Sequence, residues 1–220
     1  MKLKKYNKFL VAADGSAASG KTTGAKRIAK KYGLKFLSSG LLYRYAGYQL
    51  LKYRPKNKIK HLKKIFKNFD LKKLNNESLH STKISEFTSI IAKEKKIRLI
   101  LKSFQKKFAG KFKKVCIEGR DIGTVILPNA DIKFFFKCDL NTAAKRRFKE
   151  LYKKNKKIKF GKVKKQLQIR NLRDVSRKNS PLLKSHDAVI VDTGKLNKIP
   201  DMINKMSEIM EKKIRNKYGS

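Results

Sequence analysis

Short apolar runs recur along this chain, separated by longer stretches in which apolar residues return every three or four positions. The runs are Phe9 to Ala13, Leu34 to Leu37, Val115 to Ile117, Ile132 to Phe136 and Ala188 to Asp192. Each is too short for a helix and is bounded by Gly, Ser, Asp or Asn, so the five are predicted strands. Between them, Ala25, Ile28 and Ala29 mark a helix that Gly33 closes. Leu41, Leu42, Tyr43, Tyr45 and Tyr48 mark a second, with Ser39 placed to cap it. Residues 82–108 carry Ile84, Phe87, Ile90, Ile97, Leu101, Phe104 and Phe108 at helical spacing, with a break expected near Lys95-Lys96. A further helix begins at Asn141 or Thr142, another runs from Phe160 to Arg177, and the last from Ile199 to Ile214. Residues 52–76 are lysine-dense with isolated apolar positions and read as an exposed, mostly helical or irregular appendage. The lysine-rich stretch from Asn155 to Gly161 reads as a loop. Continuous apolar strands alternating with helices predict an α/β fold, a parallel sheet covered on both faces. Such sheets gather ligands at the carboxyl ends of their strands, where Asp14, Ser38 and Glu118 fall.

The turn after the first strand changes the picture from fold to chemistry. Gly15-Ser16-Ala17-Ala18-Ser19-Gly20-Lys21-Thr22, followed by Thr23, matches the phosphate-loop pattern of Gly, four residues, Gly-Lys-Ser/Thr. Its glycines let backbone N–H groups turn inward around a phosphate, and the helix opening at Lys21 adds the positive end of its dipole. Lys21 is placed to reach the β- and γ-phosphates of a nucleoside triphosphate, and the Thr22 hydroxyl to hold Mg²⁺. A strand before and a helix after supply the context the pattern requires.

Charge is the next constraint. The 220 residues carry 59 basic and 16 acidic side chains, a net charge of +43. Of the basic residues 48 are lysine and 11 arginine, and the lysines spread from Lys2 to Lys217. A protein shaped to grip nucleic acid leans on arginine for forked and stacking contacts. This chain reads instead as one with a generally lysine-rich surface, expected to stick weakly and salt-sensitively to polyanions without specific nucleic-acid binding. A basic nucleic-acid-binding ATPase is the rival, but it needs a base-stacking surface, and the aromatics sit at core-like spacings. Cys116 and Cys138 lack the close pairing of a metal site and are expected as buried free thiols. No window approaches the ~18 apolar residues of a membrane span, and the N-terminal apolar run leads straight into the phosphate loop; a cytoplasmic protein without membrane contact is expected.

Against so much lysine, the arginines stand out. Arg44, Arg98, Arg120, the pair Arg146-Arg147, and Arg170, Arg173 and Arg177 fall in tight settings, the last three on one helix face. Retained forks suggest phosphate recognition and neutralisation of a transferring phosphoryl group. Histidine is limited to His61, His80 and His186, which leaves hydrolytic triads poorly supported. An acceptor that is itself an ionised phosphate needs no general base, so the pattern fits a nucleotide kinase.

These motifs together resemble the bacterial cytidylate kinases, within the nucleoside monophosphate kinase group of P-loop proteins. The likeness spans Phe9 to Ile214 and rests on the phosphate loop, Ser39-Gly40-Leu41-Leu42-Tyr43-Arg44, Gly119-Arg120-Asp121-Ile122-Gly123-Thr124-Val125, Arg146-Arg147, and Arg170 to Arg177 before Ser180-Pro181-Leu182. It implies a P-loop NTPase fold, a five-stranded parallel sheet in the order 2-3-1-4-5. It further implies one domain over 1–220, with a core of 1–40, 110–150 and 180–220, a monophosphate-binding insert at 41–108, and a lid with arginine helix at 152–178. The implied reaction is phosphoryl transfer from ATP, with Mg²⁺, to CMP and dCMP by a monomer. By position, Lys21, Arg120, Arg170 and Arg177 would be catalytic, and residues 15–23 with Arg146 and Arg147 would hold ATP. Ser39 and Asp121 would meet the cytosine amine and Arg98 the polar edge of the base. Arg44, Arg120 and Arg177 would clamp the acceptor phosphate, with Ser89, Arg170 and Asp174 at the ribose. Three positions depart from the family pattern: Ser16 replaces proline, Ser38 replaces a common aspartate, and Glu118 replaces aspartate before Gly119-Arg120. The segment between Arg44 and Ser89 is also short, so the small β-insert of that region is expected to be reduced or replaced by helix.

Overall fold

The computed structural model describes residues 8–153, 155–196 and 198–219. Five strands, β1 (Phe9–Gly15), β2 (Lys35–Ser38), β3 (Lys114–Gly119), β4 (Ile132–Lys137) and β5 (Val189–Asp192), form one sheet in the order β2-β3-β1-β4-β5. Every neighbouring pair is parallel; Val11 stands opposite both Cys116 and Ile132, which makes β1 the central strand. This is the expected α/β P-loop order, and it brings the carboxyl ends of β1, β2 and β3 together at Gly15, Ser38 and Gly119.

The helices follow as α1 (Lys21–Lys31), α2 (Ser39–Tyr53), α3 (Lys58–Lys67), α4 (Thr82–Ile91), α5 (Lys95–Lys111), α6 (Leu140–Tyr152), α7 (Phe160–Ser176) and α8 (Ile199–Tyr218). Strand side chains alternate between the two faces. Ala12, Val115 and Ile117 join Leu42, Leu62 and Leu101 of α2, α3 and α5 on one side. Val11, Ala13, Phe134 and Phe136 join Ile28 of α1 and Met202, Met206 and Met210 of α8 on the other. The edge strand β5 is an exception to double coverage, since Val189 and Ile190 keep substantial exposure.

Several local expectations are corrected. The cap of α2 is Ser38, whose Oγ accepts from the Leu41 N–H at 3.2 Å, not Ser39, which already lies inside the helix. Asp139 caps α6 by accepting from the Thr142 N–H, so the helix opens one residue before Asn141. Residues 52–76 are not simply an exposed appendage. Leu62 and Phe66, one turn apart on α3, are buried, and Phe66 and Phe69 meet Tyr45 and Phe104 ring to ring. The lysines occupy only the outer face, so sparse apolar residues at i, i+4 were sufficient signal. Residues 41–108 hold helices and 3-10 turns, with no strand among the described residues. Cys116 and Cys138 are free, the second only half-buried.

Candidate active site

The phosphate loop is fixed from below by close packing. A Cβ on Gly15 would lie 2.5 Å from the Phe136 carbonyl oxygen of β4, so only glycine permits β1 to turn there. Gly20, with φ of 79°, then reverses the chain into α1. Thr193, just past β5, donates from Oγ1 to the Ser19 carbonyl at 2.9 Å. Arg146 of α6 donates to the same Thr193, to Oγ1 at 2.9 Å and to its carbonyl at 2.7 Å. The loop, β5 and α6 therefore meet at one hub, in which Thr193 is a residue the sequence reading overlooked.

A cleft of about 440 Å³ opens above the loop. Residues Ala17 to Thr23 form its floor, while Arg44, Arg120, Arg146, Arg147 and Arg170 line its walls. Ser16 meets the site through its carbonyl, which accepts from Lys21 Nζ at 3.1 Å. Arg147 also pairs with Glu150 at 2.8 Å, and Arg44 donates to the Leu79 carbonyl at 2.8 Å. Crowding of cations has an electrostatic cost. Burial, with Arg120 adding to it, pushes Arg170 down to about 9, and burial with Arg147 brings Arg44 to about 10. A ligand carrying several negative charges would relieve this strain.

Lys21 feels it as well. Its ammonium is buried, and burial, seconded by Arg120, lowers it from 10.5 to about 7 against the opposing pull of Glu118. The Glu118 Oε2 atom lies 4.0 Å from Lys21 Nζ and is buried without a hydrogen-bond partner. Its Oε1 accepts from Ser38 Oγ. Two of the three positions singled out in the sequence, 38 and 118, thus touch each other.

A second constellation lies beside the cleft, where charges alternate. Arg98 Nη2 donates to Asp121 Oδ2, and Arg177 Nη2 lies 3.8 Å from Asp121 Oδ1. Arg177 Nη1 lies 3.5 Å from Asp174, which also accepts from Arg120 Nε at 2.7 Å. Burial pushes Asp174 up, yet Arg120 and Arg170 hold it below the usual carboxylate range. The Arg98 guanidinium sits over the Tyr43 ring at 5.6 Å. Ser39 is buried next to Gly119. The turn carrying Asp121 is anchored by Asp14, whose carboxylate accepts from the Ile122 and Gly123 N–H groups at 2.8 and 2.7 Å. Burial nevertheless raises Asp14 to about 6.

The arginine helix α7 reaches across to α4. Arg170 donates to Ser85 Oγ at 3.0 Å and Arg173 to Ser89 Oγ at 2.9 Å, each serine one turn from the other. Ser85 accepts from Arg44 as well. Most predicted site residues thus fall in two adjoining groups, the cleft over the loop and the Arg98–Asp121–Arg177–Asp174–Arg120 chain, with Ser39 beside Gly119 and Ser89 apart from both, on α4 against Arg173. Arg177 belongs to the second group and does not line the cleft.

A parallel sheet in this order, with a phosphate loop after its central strand and an arginine-lined cleft above it, defines a P-loop kinase of the nucleoside monophosphate type. A family model described as cytidylate kinase matches residues 11–212. The cytidylate kinase of Bartonella tribocorum is 39% identical over 194 residues, covering 86% of this chain and 88% of its own. That of Thermosipho melanesiensis is 34% identical over 215 residues, covering 93% and 98%. An uncharacterized protein from Eubacterium ventriosum shares the fold, with a TM-score of 0.50 at 16% identity over 92% of this chain and 99% of its own. The chain belongs to the cytidylate kinase family and is a phosphotransferase. No described helix is long and apolar enough to cross a membrane.

Proposed function

We propose that this chain, acting as a monomer, transfers the γ-phosphoryl group of ATP to CMP and dCMP directly and in line. The observation that carries the reading is the adjacency of the two groups, a polycationic cleft over the phosphate loop and a paired Asp121–Arg98 beside it. Residues 15–23 hold the triphosphate through those loop N–H groups that no side chain occupies, with Arg146 and Arg147 over the nucleotide. Lys21, Arg120 and Arg170 face the charge that spreads over the transferring group, which is electrostatic stabilisation rather than covalent catalysis. Arg44, Arg120 and Arg177 hold the acceptor phosphate, Arg177 leaving its carboxylate partners to do so. Ser89, Arg170 and Asp174 lie at the ribose. Asp121 and Ser39 accept from the cytosine amine, while Arg98 donates to the base; uracil would present a carbonyl to the Asp121 carboxylate.

The residues fit a divalent cation: the Thr22 hydroxyl lies on the cleft floor and Glu118 keeps a buried unpartnered oxygen nearby. A Mg²⁺ ion held by the Thr22 hydroxyl would supply neutralisation of phosphate charge. Closure of residues 41–108 and 152–178 over the cleft excludes water, which spares ATP from hydrolysis.

The test is ADP production from ATP and Mg²⁺ with CMP, dCMP, UMP, AMP or RNA supplied separately. Strong stimulation by CMP and dCMP alone is expected. Stimulation by RNA without response to CMP would overturn the reading in favour of a nucleic-acid-dependent ATPase.

Triphosphate binding should also take up a proton. Lys21 at about 7 is mostly neutral at pH 8, and an adjacent polyanion favours its charged form. Calorimetry in buffers of differing ionisation enthalpy is expected to show uptake of about one proton at pH 8 and little from Lys21 at pH 6, with the pH 8 uptake absent from Lys21→Met.

A further inference from the structure

One amide of the phosphate loop is taken by a side chain from the far end of the sequence. The Ala17 N–H donates to Asn171 Oδ1 at 3.1 Å. Asn171 stands on α7 between Arg170 and Arg173, the two residues that bond to α4. Beside this bond, Ala17 is 3% exposed and packs with Ala144 of α6 and with Val163 and Leu167 of α7. Leu167 and Asn171 are one helical turn apart, so a single face of α7 supplies both an apolar and a polar contact to the loop. The next loop residue, Ala18, has φ of 57°, a left-handed conformation that a non-glycine residue holds only when its surroundings impose it. The Asn171 bond and the Ala17 packing adjoin it on the side of α7.

We propose that Asn171 is a positioning residue that locks the arginine helix to the phosphate loop, so that Arg170 keeps a fixed place relative to the transferring phosphoryl group. Without the lock, α7 remains tied to α4 through Ser85 and Ser89 but loses its polar link to the nucleotide floor. Arg170 then follows the acceptor side of the cleft and is misplaced for the donor. A small misplacement of this kind falls on the chemical step rather than on acceptor binding. Arg98 and Asp121 are held by other elements and keep their geometry.

The proposal rests on the kinase reading above, and its experiment separates the two. Asn171→Leu removes the acceptor at similar size, and Asn171→Asp retains it. In the ligand-free protein, exchange of the Ala17 amide with solvent deuterium is expected to quicken at least about tenfold in Asn171→Leu, while Asn171→Asp stays within about threefold of the parent. At saturating ATP, kcat for CMP is expected to fall about tenfold in Asn171→Leu with KM for CMP changed less than about threefold, and to recover in large part in Asn171→Asp. An Ala17 amide that exchanges equally in parent and Asn171→Leu overturns the lock. So does faster exchange with unchanged kcat, or an Asn171→Asp variant no better than Asn171→Leu. Should Asn171→Leu melt before assay, Asn171→Asp against Asn171→Ser carries the same comparison. A parent protein unresponsive to CMP refutes the kinase reading instead, and the amide exchange still decides whether the lock exists.

Discussion

Lys21→Met is expected to lower kcat for phosphoryl transfer about a thousandfold, the range seen when a preorganised charge is removed from a developing anion. The steady-state rate with ATP and CMP at saturation checks it. The size of the effect follows from where the ammonium sits. It is buried between the loop carbonyl of Ser16 and the unpartnered oxygen of Glu118, in low dielectric, where a charge acts strongly on its neighbour. The fold should not suffer in parallel. Burial lowers Lys21 from 10.5 to about 7, so between those values the unfolded chain binds more protons than the native one. The cost of the buried ammonium is therefore complete below about pH 7 and disappears as pH rises towards 10.5. Ligand-free Lys21→Met is expected to melt no lower than the parent at pH 6–7, with any advantage fading towards pH 10. A variant that loses both activity and its thermal transition at pH 7 would show Lys21 to be structural.

The second large effect is expected at Asp121. In Asp121→Ala, Arg177 keeps Asp174 but Arg98 stays buried without its carboxylate, and leaving buried charge uncompensated costs about 3–5 kcal/mol. Thermal melting is expected to record that loss. In Asp121→Asn the shape survives and the amide offers a donor as well as an acceptor, so the carbonyl of uracil finds a partner. Relative kcat/KM for CMP over UMP is expected to collapse by about a hundredfold or more, mainly through loss of CMP. Unchanged discrimination in both variants would remove Asp121 from base selection.

The strands and the phosphate loop were legible because each is written in contiguous residues: apolar runs, glycines at fixed offsets, a lysine and a threonine; the order of the strands followed only from the family resemblance. The arginines were legible by contrast with a lysine-rich background. Contacts made across the fold were not. Asn171 reaches Ala17 over 154 positions, and Ser85 is one of many serines until α7 lies opposite it. Adjacent candidates also escaped resolution, since Ser38 and Ser39 are equivalent as letters and only the entry angle of α2 makes the first the cap. The burial of α3 was missed because its lysines dominate composition while two apolar residues at one-turn spacing decide its packing. Arg177 was assigned to phosphate from its motif, whereas the ligand-free chain pairs it with Asp121 and Asp174.

The distribution of positive charge has a kinetic consequence. Lysines over the surface surround a cleft walled by arginines, so the field of a +43 chain converges on the cleft proposed to receive polyanionic nucleotides. Encounter is hastened at low ionic strength, and salt, which shortens the reach of that field to about 10 Å at 0.1 M, slows it. Departure obeys the opposite rule. On the proposed reaction two nucleoside diphosphates must climb out of the same attraction, so added salt retards capture and eases release, and the balance between them shifts with the ionic content of the surroundings.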